Sequence, residues 1–118
     1  MELEKKIVYV SPENKQKVEA VLCAACKYFE IERDRLFVDA SYSVVNIKQM
    51  CIYLMKVNTK MSDRDLAEYL SISKSSVGSS VEKIRVHKNI YSDTMNGLRK
   101  ICEHTIYFIP DIISIDGT

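Results

Sequence analysis

Three glycines and two prolines in 118 residues leave this chain long stretches with nothing to break a helix. Between Pro12 and Gly78 there is neither residue, and the apolar side chains there recur at steps of three and four. That spacing predicts an almost all-α protein, organised as a multi-helix helix-turn-helix domain with short extended termini. Ser11-Pro12 is a helix start, with Ser as cap and Pro at the first position. Val18, Leu22, Ala25, Cys26 and Phe29 then give one long helix from Pro12 to Phe29. "IERDRLF" reads as a single turn or short helix, and "VDASYSVVN" leads into "IKQMCIYLMKVN", where Ile47, Met50, Cys51, Leu54 and Met55 form a stripe.

The middle of the chain carries the pattern with functional content. Ser62 opens a short helix, with Asp65 where a capping box has Glu, and this helix ends near Leu70. Ser73 caps the next one, in which Val77, Val81 and Ile84 point inward while Lys74, Ser75, Gly78, Ser79 and Glu82 point elsewhere. A helix-turn-helix needs a small residue where its helices cross and apolar residues on both sides of the turn. Ala67, Leu66, Leu70, Ile72 and Val77 supply them. Ser71 stands where a turn Gly is usual, which requires a left-handed serine. A last helix from about Ser92 places Met95, Leu98, Ile101, Cys102 and Thr105 on one side.

In such a unit the helix from Lys74 to about Lys88 would lie in the major groove of double-stranded DNA. Ser73, Lys74, Ser75 and Ser79 would face base edges, and Lys83, Arg85 and Lys88 would face phosphates. The alternatives are a polar face on a three-helix core that is merely solvated, or one that binds protein. Net charge is only +1, yet residues 101–118 carry three acids and no Lys or Arg, so residues 1–100 hold 17 bases against 13 acids, net +4. The acidic end hides a mildly basic body.

From about residue 17 to 101 the chain resembles the C-terminal DNA-binding domain (domain IV) of the bacterial replication initiator DnaA, a fold related to the Trp repressor. The resemblance runs through "CAACKYFEIERDRLF", "KQMCIYLM", "MSDRDLAEYL", "SKSSVGSSVEKI" and "YSDTMNGLRKI" in the family's order. It implies the same helical fold and sequence-specific DNA binding, in replication or transcription of a bacterial or mobile element. Lys74 takes the place of a family His, Ser75 and Ser76 take those of two Thr, and Val77 agrees. The signature's Asp and Arg have no counterpart, and Lys48 is the only base in "VDASYSVVNIKQ", where the family has an Arg-rich loop. Ser76 and Lys48 thereby join the candidate DNA contacts.

The remaining chemistry is sparse. Cys23-Ala-Ala-Cys26 has redox or zinc spacing, but it sits mid-helix and no second ligand pair follows. Small buried cysteines are the simpler reading. His87 and His104 lack a partner at catalytic spacing, and Gly78, Gly97 and Gly117 are isolated, so no phosphate loop forms. Neither enzymatic activity nor a cofactor or metal is expected. The start of the chain lacks the features of a secretory signal, and no apolar run approaches ~18 residues. Reduced cysteines and a cytoplasmic location are therefore expected, with no membrane partner. Residues 1–10 read as an extension with a strand-like "KKIVYV", 11–107 as the domain, and 108–118 as a tail. The apolar "IYFIPDIISI" is suited to self-association or to a protein partner.

Overall fold

The computed structural model describes residues 11–105, which form six helices and, among those residues, no strand. They are α1 (Pro12–Phe29), α2 (Arg33–Val38), α3 (Tyr42–Asn58), α4 (Asp63–Leu70), α5 (Lys74–His87) and α6 (Ser92–Glu103). The expectations for "KKIVYV" and for the apolar tail fall outside the described residues. No described helix is long and apolar enough to cross a membrane.

Local chemistry sets most boundaries. Ser11 Oγ accepts from Asn14 N at 3.2 Å at the head of α1. Its end is a left-handed Glu30 at φ 55°, after which Ile31 N reaches back to Cys26 O at 3.0 Å. α3 begins at Tyr42, well before the expected "IKQ", so much of "VDASYSVVN" is helix and not an approach to one. The stripe read from the sequence is buried, but so are Ile52 and Tyr53, which that stripe omits. The reason is position: α1, α2, α5 and α6 all pack on α3, so almost its whole circumference is core. Asn58 can be buried at its end because its Nδ2 donates to Leu54 O at 2.7 Å.

α6 lies against α1 and α3 through Leu98, Ile101 and Cys102. Met95 is only partly buried, Thr94 is buried instead, and the helix stops before Thr105. Gly97 sets the closeness of that seam, since a Cβ there would stand 2.8 Å from the Met50 sulfur.

Candidate nucleic-acid interface

α4 and α5 are joined by three residues, each with a defined task. Ser71 adopts φ 63°, ψ 42°, as the missing turn glycine requires, and its N–H donates back to Ala67 O and Glu68 O. Ile72 N donates to Ala67 O at 3.0 Å, and the Ile72 side chain packs on the core. Ser73 starts α5, its Oγ accepting from Ser76 N at 3.1 Å. Leu66, Ala67, Leu70 and Val77 are buried around this turn, so the spacing read from the sequence describes the packing. On α5 the inward set is Val77, Ser80 and Ile84, with Val81 only half-buried. Ser80, which the expected inward face did not include, is small enough to be buried there.

The candidate contacts separate into groups. Lys74, Ser75 and Ser79 are exposed on the first two turns of α5. Ser73 Oγ is committed to the cap and also donates to Ser76 Oγ at 2.9 Å, so that hydroxyl holds the helix end together. Ser76 is half-buried. Ser79 Oγ donates to Ser75 O at 2.9 Å, which leaves its lone pairs, and no proton, to face outward. Lys83 follows one turn later, its Nζ 5.6 Å from the centroid of the Tyr42 ring. Lys48 is half-buried on α3, a different helix from the others.

Lys88 corrects the expectation. It is only 3% exposed at the end of α5, so it does not extend towards a phosphate, and burial with the nearby Arg85 charge pulls its pKa down. Counting lysines by type cannot distinguish a side chain that continues the inward stripe Val77, Ile84, Lys88 from one that faces water. Arg85 is also less available than expected, because it holds Glu82 at 2.6 Å. Arg64 pairs with Glu68 at 3.6 Å, and Lys56 bridges Asp63 at 3.0 Å. Within 62–88 Lys74 is thus the cation held by no carboxylate, no ring and no burial.

One constellation had no signal in the sequence. Arg33 of α2 grips both carboxylate oxygens of Glu19 on α1, and Tyr69 of α4 donates to Glu19 Oε2 at 2.7 Å. The Arg33 hydrogen bond, helped by Tyr69, holds the Glu19 carboxyl below its usual range against the opposing effect of burial. Desolvation and the neighbouring carboxylate push the Tyr69 phenol up to about 12. These groups lie 14 and 50 positions from Glu19, beyond any helical repeat, and tether α4 to the rest of the bundle.

The cysteines also need a correction. Cys51 and Cys102 are buried, but Cys26 is intermediate and Cys23 exposed, so burial does not explain the pair at 23 and 26. Desolvation raises the Cys26 thiol, opposite to the direction that makes a redox nucleophile. Among the described residues no three His, Cys, Asp or Glu side chains gather as a metal site. His104 Nδ1 lies 2.8 Å from Lys100 O, and the His87 ring stands edge-on to Tyr91.

Comparison with protein-family models, with curated proteins and with solved structures finds no match.

Proposed function

We propose that this protein is a non-catalytic binder of double-stranded DNA that lays the first two turns of α5 in the major groove. The observation that supports this reading is the disposition of α5. Its Val77, Ser80 and Ile84 are fastened in the core behind a capped, three-residue turn, while Lys74, Ser75 and Ser79 are exposed on its first two turns. On this reading Lys74 supplies donors to the guanine O6 and N7 acceptors. Ser79, whose proton is spent on Ser75 O, accepts from an exocyclic amino group of cytosine or adenine. Lys83 and Lys48 neutralise flanking phosphates.

The test is selection from a pool of random duplexes by the purified protein at low and at raised salt. One enriched motif that survives the higher salt is the expected result, and Lys74→Ala should change that motif. Lys83→Ala should instead weaken all sequences alike, lowering the salt slope by about one. Retention without enrichment, lost as salt rises, would sink the reading.

A second reading, a docking or oligomerisation module with little affinity for DNA, is favoured by one observation. Val86, Ile90 and Tyr91 are exposed together around the end of α5, at 41%, 63% and 53%. On that reading Ile90→Asp would change the oligomeric state in solution, measured by light scattering, and duplex selection would fail.

A further inference from the structure

Lys83 shares a stripe of α5 with Ser76 and Ser79, two turns and one turn before it, and it is the only Lys or Arg of that stripe. Its ammonium is not neutralised by a carboxylate, as Arg85 is by Glu82. It lies instead over the face of Tyr42, the first residue of α3, 5.6 Å from the ring centroid. An aromatic face attracts a cation within about 6 Å yet leaves its charge whole. Tyr42 is 75% exposed, so its ring is not explained by the core. The corner that carries it is held in place: Asp39 accepts from Ser41 N at 2.8 Å and pairs with Arg35 at 3.0 Å.

We propose that Tyr42 is a positioning residue of the DNA interface, its ring holding the Lys83 ammonium beside the Ser79 stripe, charge intact, for a backbone phosphate of a duplex bound to α5. The proposal deepens the DNA-binding reading and rests on it. A lysine free on four rotatable bonds must give up that freedom when it meets a phosphate, whereas one already held over a ring gives up less.

The experiment uses the full chain and short duplexes of randomised sequence, with affinity measured over a salt series for wild type, Tyr42→Phe, Tyr42→Ala, Lys83→Ala and the Tyr42→Ala, Lys83→Ala double variant. Tyr42→Ala should weaken binding about threefold at low salt, the scale of one exposed cation–ring contact, while Tyr42→Phe, which keeps a ring, should bind as wild type. Lys83→Ala should lower the salt slope by about one, and adding Tyr42→Ala to it should change nothing more. In the free protein the Lys83 side-chain methylene resonances should sit upfield, keep that position in Tyr42→Phe and lose it in Tyr42→Ala. An equal loss from Tyr42→Ala with and without Lys83 would mean that the ring itself touches DNA, which overturns the positioning role. No loss from Tyr42→Ala overturns it as well. Wild type that retains no duplex even at low salt overturns both this proposal and the reading beneath it, whereas wild type that binds and does not respond to Tyr42→Ala overturns this one alone.

Discussion

α3 and α5 are helices of similar length that pack against each other, and they are held by different means. α3 buries six consecutive residues, Met50 to Met55, because four helices surround it. α5 buries Val77, Ser80, Ile84 and, at its very end, Lys88, and otherwise depends on its cap and on the turn from α4. The first is buried on nearly every side; the second packs one face on α3, α4 and α6 and leaves its other side exposed. Packing leaves much of the α5 surface exposed, which is why the proposed DNA contacts are drawn from it.

The largest test of this contrast is truncation. Ile52→Ala on α3 should cost ~4 kcal/mol, and Ile84→Ala on α5, the same truncation at an equally buried site with fewer neighbouring helices, ~2–3 kcal/mol, read as shifts in the urea midpoint at constant slope. Equal costs would mean that α5 is as deeply embedded as α3. Next in size is the cap: Ser73→Ala should destabilise by about 1 kcal/mol, and Ser73→Gly by only a few tenths. The two helical glycines should then respond differently. At Gly78 an added Cβ would lie 3.6 Å from Asp63 Oδ2, an ordinary contact, so Gly78→Ala should stabilise by about 0.5–1 kcal/mol through helix propensity. Gly97→Ala should bring no such gain, because the buried Met50 thioether must move aside. Thermal melts of the two variants decide the point.

The smallest effect concerns the tether of α4. Glu19 has a folded pKa below its ordinary 4.5, so its stabilisation is complete above that value and is lost as pH falls through the lowered one. Because the Glu19 and Arg33 side chains are 36% and 50% exposed, solvent screening limits the contribution to ~0.5 kcal/mol. Wild type should lose that increment on acidification, and Glu19→Gln should lack it at every pH.

How much of this was legible in the sequence depended on the range of the interaction involved. α1 runs from Pro12 to Phe29 as its Ser-Pro start and apolar spacing require, and the caps at Ser62 and Ser73 and the left-handed Ser71 follow from residues within one turn of each other. Periodicity finds the most apolar face of a helix but not how many neighbours it has, hence the unexpected burial of Ile52 and Tyr53. Side-chain class misplaced Lys88 and Cys23, because a lysine stem and a thiol each suit either side of a surface. The ring of Tyr42 beneath Lys83 and the grip on Glu19 join different helices, and nothing local announces them.

On the proposed reading, the exposed first half of α5 is the surface that meets DNA. Its most direct test is an amide-resolved NMR titration of the full chain with a duplex taken from the selection. The largest shifts should fall on residues 73–79 and on Lys83, with the exposed side of α1 silent. Shifts centred on Val86, Ile90 and Tyr91, or spread evenly over every lysine and arginine, would contradict it.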